Sequence, residues 1–194
     1  MAAGQRATGI GGSAAARVSV DHAAPRAHIA ALGEALQWHG GLTLDYMHEH
    51  DAPRYIECNP RTVEPANAAA SGVNIAELQV RLTLGEQLDS PARVGRAGVR
   101  THGTIAVLLG AAARGESRGA LLRGIGEAIA HRGVYAGSSE QLTPLLRDPP
   151  SALAAAYVTA RVLANPGEAA RIASHAVSGY AIGPESIARV QAQA

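Results

Sequence analysis

The stretch Arg54-Tyr55-Ile56-Glu57-Cys58-Asn59-Pro60-Arg61-Thr62-Val63-Glu64-Pro65 decides how this chain is read. It sets an acid, a carboxamide and a guanidinium at every second position, Glu57, Asn59 and Arg61, with Pro60 ending the alternation between the last two. Period-two patterning over 54–59 marks a strand, with Tyr55, Glu57 and Asn59 on one face and Ile56 and Cys58 on the other. Upstream, Gly41-Leu42-Thr43-Leu44-Asp45-Tyr46-Met47 alternates in the same way. Leu42, Leu44 and Tyr46 share one face; Thr43, Asp45 and Met47 share the other. Between the strands, His48-Glu49-His50-Asp51-Ala52-Pro53 is a polar hinge ending in proline. Folding about its middle brings Asp45 opposite Glu57. Opposed residues of an antiparallel pair have Cβ atoms ~5 Å apart, where like charges destabilise. A bridging cation, or protonation of one acid, relieves the repulsion. Mg²⁺ suits such a site because it takes hard oxygen ligands, commonly one or two carboxylates completed by phosphates and waters. Asn59 adds a carbonyl oxygen on the same face. Arg61, just beyond the strand, can grip a phosphate or carboxylate through two parallel N–H groups. A solvated hairpin is the plain alternative, and the Glu-x-Asn-Pro-Arg order favours the functional reading.

Tyr55-Ile56-Glu57-Cys58-Asn59-Pro60-Arg61, followed by Ala68-Ala69-Ala70-Ser71-Gly72-Val73-Asn74-Ile75 and Leu82-Thr83-Leu84-Gly85-Glu86, resembles the C-terminal part of an ATP-grasp domain, as in biotin carboxylase and the carbamoyl-phosphate synthetase large subunit. The resemblance spans residues 14–90 and is specific across 41–88. It implies that Asp45, Glu57 and Asn59 hold Mg²⁺ (or Mn²⁺) with ATP, and that Arg61 faces the phosphates or an acyl-phosphate intermediate. Biotin carboxylases also carry a Val-Glu pair whose glutamate is a base. Val63-Glu64 resembles it at a spacing one residue shorter, which makes Glu64 a second catalytic candidate beside Arg61.

The 194 residues suit one large domain or two small ones. The apolar share of 47% can fill a core, but alanine dominates it, and there is no Phe. A net charge of +1 gives no basic footprint for nucleic acid. A single cysteine excludes an internal disulfide framework and fits a reducing, cytoplasmic setting. No apolar run approaches the ~20 residues of a membrane span, and residues 1–20 lack a signal-peptide core. All 17 basic residues are arginine. The lysines and glycine-rich phosphate loop of the ATP-grasp N-terminal half therefore have no counterpart here. One carboxylate hairpin makes one wall of a nucleotide site, and a site normally buries most of its ligand.

Along the rest of the chain, Gly9-Ile10-Gly11-Gly12 reads as a mobile start, and Arg17–Asp21 as a short strand. Residues 25–38 form a helix with Trp38 in the core. His48 and His50 lack a third ligand at a fixed spacing and read as turn residues. Cys58 faces the packed side as an inert thiol. A helix over 65–72 ends at Gly72, and Asn74 caps a helix over 75–84 with Glu77 completing a variant capping box. A strand is possible around 92–100. Beyond a boundary near 98, helices are expected over 103–114, from Ser117 with Leu121, Ile125 and Ile129 on one stripe, from Ser151 with Leu153, Val158 and Val162 inside, and after Asn165-Pro166-Gly167-Glu168. A further short helix starts at Pro184. Residues 134–150 read as a loop whose Tyr135, Ser138, Ser139 and Asp148 serve turns and caps.

The expected architecture is α+β: a partial ATP-grasp domain over 1–98, an antiparallel sheet with covering helices, followed by an all-α region over 99–194. The resemblance implies an ATP-dependent ligase, or a subunit or fragment of one, joining a small carboxylate or bicarbonate to an acceptor through an acyl phosphate and forming a C–N or C–C bond. The alternative is an inactive, truncated relative serving as a binding or assembly module. A third arrangement has a separate chain, or a second copy in a homo-oligomer, complete the site.

Overall fold

A computed structural model describes Gly9, residues 14–50, 52–63, 65–88, 93–140 and 148–178, and Gln191. In chain order these form β1 (Ala16–Val18), α1 (Ala23–Ala35), β2 (Thr43–Glu49), β3 (Ala52–Asn59), α2 (Pro65–Ser71), α3 (Ile75–Thr83), β4 (Arg100–His102), α4 (Thr104–Ala113), α5 (Arg118–Ile129), a 3-10 turn (Gly133–Tyr135), β5 (Ser138–Glu140), α6 (Pro149–Ala164) and α7 (Glu168–Ser178). The fold is mixed α/β, with helix dominant over two small sheets: three strands in the order β1–β4–β5, and the pair β2–β3. Among the described residues no helix is long and apolar enough to cross a membrane. The helix expected at Pro184 and the helix end expected at Gly179 lie outside the described residues.

The chain falls into two units, one of residues 17–101 and one of residues from His102 onward together with the described residues before Arg17. The sequence places a boundary near 98 and assigns the first residues to the other side of it. In the His102 unit, helix packing follows the apolar stripes. Leu108, Ala111, Ala112, Leu121, Val162 and Ala169 form one buried cluster, with Ile125, Val158 and Ile172 packed against it. Ala15, Val107, Ala128 and Tyr135 form another. Ile129 and Leu153, expected on the inner stripes, stand exposed at the ends of theirs. Ser117 caps α5 as its position dictates, its hydroxyl accepting from the Ala120 N–H at 3.3 Å.

Two expectations for this unit are corrected. It is not all-α: Ser138-Ser139-Glu140, expected in a loop, is strand β5. Ser151 does not begin α6, which starts two residues earlier at Pro149 with Asp148 at the cap position. The first helical positions need no N–H partner, so Pro149 and Pro150 are tolerated there. Ser151 Oγ instead donates back to the Asp148 carbonyl at 2.7 Å.

The 17–101 unit is built differently. Its buried side chains, among the described residues, are Pro25, Asn59, Ser71 and Thr101, with no Val, Ile, Leu or Met. Polar bonds hold it. Ser19 exchanges backbone bonds with Val99 and Gly98, and its Oγ donates to the Arg96 carbonyl at 2.6 Å. Asn67 Nδ2 donates to Thr101 Oγ1 at 2.7 Å. Trp38, expected in the core, is 40% exposed, its indole N–H donating to the Gly41 carbonyl at 3.2 Å. Cys58, expected on a packed face, is exposed. The capping reading for α3 holds: Asn74 Oδ1 accepts from the Glu77 N–H at 3.2 Å, and Asn74 Nδ2 donates to the Glu77 carboxylate at 3.3 Å. Gly72 and Gly85 take the positive φ values, 106° and 76°, that end the two helices.

Candidate functional site

β2 and β3 pair antiparallel, and Asp45 lies directly opposite Glu57, with Thr43 opposite Asn59. The polar hinge is short: the strands run to Glu49 and from Ala52, and His50 takes φ 50° at the turn. Opposed residues share a face, so Thr43, Asp45, Glu57 and Asn59 stand together. Asn59 Nδ2 donates to Asp45 Oδ2 at 3.4 Å. This directs the carboxamide nitrogen at the acid and leaves the Asn59 carbonyl oxygen as the ligand-type atom. Asn59 is 7% exposed, whereas Asp45 and Glu57 are exposed.

A register shift after Asp45 alters the rest of the ladder. Tyr46 pairs with Tyr55, so Ile56 is an extra residue on β3. Such a bulge moves the strand beyond it to the opposite face. Tyr55, expected beside Glu57, therefore joins Tyr46, with ring centroids 6.0 Å apart. The two tyrosines meet α1. The Tyr46 hydroxyl and His22 Nδ1 are bonded at 2.9 Å, and the Tyr55 hydroxyl and His28 Nδ1 at 2.6 Å. His48, expected in a plain turn, belongs to β2 and stacks on His22 at 4.0 Å. The tyrosine face thus seats the hairpin on α1 and turns the acid face away. Burial raises the Tyr46 hydroxyl above its ordinary pKa, with Tyr55 adding to the shift, so it stays protonated through the neutral range.

The base of the hairpin is fixed by its neighbours. Thr43 Oγ1 donates to the Arg61 carbonyl at 3.0 Å, and Thr62 Oγ1 donates to Gln79 Oε1 on α3 at 2.6 Å. Gly41 is required there, since a Cβ would stand 2.8 Å from the Thr62 backbone nitrogen. Arg61 follows Pro60 with its side chain exposed. The structure thus brings Asp45, Glu57 and Asn59 onto one face and keeps Arg61 at the end of that strand. Glu64 lies outside the described residues. Among those described, no group of three or more His, Cys, Asp or Glu gathers at metal-binding range. Two acids and a carboxamide are what this face offers a hard cation, with phosphates and waters to supply the remainder.

A second polar cluster has no signature in the sequence. His102, 3% exposed, bonds through Nδ1 to Ser138 Oγ at 2.7 Å, and its Nε2 lies 3.9 Å from Glu140 Oε2. The order acid, imidazole, hydroxyl suggests a nucleophile, but the protons run the wrong way. Ser138 Oγ donates to the Tyr135 carbonyl at 2.5 Å, so His102 Nδ1 donates to it and is not its base. Glu140 accepts the N–H and the hydroxyl of Thr104 at 2.7 and 2.6 Å, closing the start of α4. His131 Nδ1 donates to the Ser138 carbonyl at 2.6 Å. The cluster pins β5 to α4. Burial lowers the His102 pKa below 6.5; Glu140 and a backbone bond to Ala128 oppose the shift, and His131 adds to it.

No family model, curated protein or solved structure matches this chain.

Proposed function

We propose that the chain binds Mg²⁺·ATP as an ATP-grasp-type protein, acting as an ATP-dependent carboxylate-activating ligase or as a subunit of one. The observation that carries this reading is the direct pairing of Asp45 with Glu57, with the Asn59 carboxamide beside them. Two like charges opposed on a ladder gain from a shared divalent cation. A cation held there would neutralise a transferring phosphoryl group, and Arg61, one step beyond the strand, would clamp the same charge. Phosphorylating a carboxylate or bicarbonate gives an acyl phosphate, which an acceptor then attacks with loss of phosphate. The acid face is open to solvent, so the reading requires a second wall, supplied by another chain or another copy. Calorimetry tests the proposal: Mg²⁺-dependent nucleotide binding is expected in the unaltered chain and absent in Glu57→Ala. Equal affinity in the two would reject the assignment.

One observation favours a second reading. Asp45 and Glu57 are both exposed, and no third acid or histidine joins them among the described residues. A binding or assembly module that keeps the hairpin without catalysis accords with that openness. ATP hydrolysis by the isolated chain, or only with a co-purifying partner, supports the ligase; nucleotide binding without turnover in either state supports the module.

A further inference from the structure

The face of the hairpin opposite the acids forms one side of a solvent-open groove of about 510 Å³ within the 17–101 unit. Its aliphatic lining includes Val18, Val20, Ile29, Leu44, Val63 and Val94, with the buried Pro25 beside them. These six come from β1, α1, β2 and three connecting segments, yet none is buried. Apolar side chains lining an open groove stay in contact with water, and an apolar ligand that fits the groove removes that surface from solvent. The space is framed by polar bonds. Ser19 ties the Val18–Val20 wall to Arg96 and Val99, and the Arg96 N–H donates to the Ser71 carbonyl at 2.9 Å. Tyr46 and His22 join the hairpin to α1 at one edge. At another, Asp21 and Arg26 form an ion pair. That pair balances its own charge, so this edge selects neither an anion nor a cation.

We infer that this groove is a binding site for an uncharged, largely apolar small molecule, seated between the hairpin and α1. The volume lies within the range of about 300–1,000 Å³ typical of small-molecule pockets, which combine apolar walls with a few polar groups. Asn67 gives its Nδ2 to Thr101, leaving its Oδ1 as an acceptor at the lining. The ligand takes the place of the buried aliphatic side chains that the described residues of this unit do not supply. Occupancy therefore stabilises the unit by mass action.

The test uses the full chain and N-phenyl-1-naphthylamine, an uncharged probe that fluoresces in apolar surroundings. Saturable binding of one probe per chain is expected, with the methyl NMR signals of Val18, Ile29, Leu44, Val63 and Val94 shifting together. Ala68→Trp places a ring in the groove without removing a packed group, and a loss of affinity of tenfold or more is expected. Methyl signals that stay in place at saturating probe in the unaltered chain overturn the inference, whatever the fluorescence does. Glu57→Ala is expected to bind the probe unchanged, so this site and the nucleotide site fail separately.

Discussion

Asp45 and Glu57 set a conflict that a bound cation, protonation of one acid or a mutation relieves. Directly opposed like charges on a sheet cost roughly 0.2–1 kcal/mol relative to neutral pairs. In metal-free buffer Glu57→Gln is therefore expected to raise the urea midpoint slightly, and with saturating Mg²⁺ the order reverses. A gain that persists in Mg²⁺ marks the acids as a solvated pair. His102 supplies a pH dependence. Its pKa is depressed by burial, so the unfolded chain binds its proton first. The stability this gives is complete above the ordinary value of 6.5 and is lost as pH falls from there through the depressed value. Denaturation of the chain between about pH 7.5 and about pH 5 should show this slope, and His102→Asn should flatten it.

Elements differ in how far local sequence determines them. The α3 start was fully legible because a cap is a short-range device: Asn74 and Glu77 complete it within four residues. Asn74→Ala is expected to lower stability by about 0.5–2 kcal/mol, measured by urea denaturation. The hairpin register was legible for the same reason, since alternation and the turn define which residues meet. The bulge at Ile56 was not, because an extra residue leaves the alternation of β3 intact and shows only against β2. That single insertion places Tyr55 on the α1 side. β5 is the opposite case. Ser138-Ser139-Glu140 has no strand pattern, and its partners His102, Thr104 and His131 are distant in sequence or held by backbone geometry. α6 ends on a long-range device as well: Arg118 donates to the carbonyls of Leu163 and Ala164 at 2.7 and 2.8 Å. Two bonds from one planar guanidinium predict that Arg118→Lys recovers less stability than its conservative chemistry suggests.

On the scale of the whole chain, the two units hold themselves together by different means. The unit from His102 onward has buried aliphatic clusters, and Leu121→Ala there is expected to cost about 2–5 kcal/mol in urea denaturation. The 17–101 unit relies on side-chain and backbone hydrogen bonds beside a solvent-open apolar groove. Trp38 and Cys58 were misread for this reason: an apolar residue in a regular element implies a core, and here the described residues form none. Hydrogen exchange should separate the units, with slow amides in α4 and α5 and fast ones in β2 and β3.

The shared divalent ion at the hairpin is the claim on which the functional account rests. Substoichiometric Mn²⁺, added with ATP to the isotopically labelled chain, tests it through paramagnetic broadening of backbone amide signals. The signals of Asp45, Glu57 and Asn59 are expected to vanish first and to return when excess Mg²⁺ is added. Broadening centred elsewhere, or none at these three residues, would contradict it.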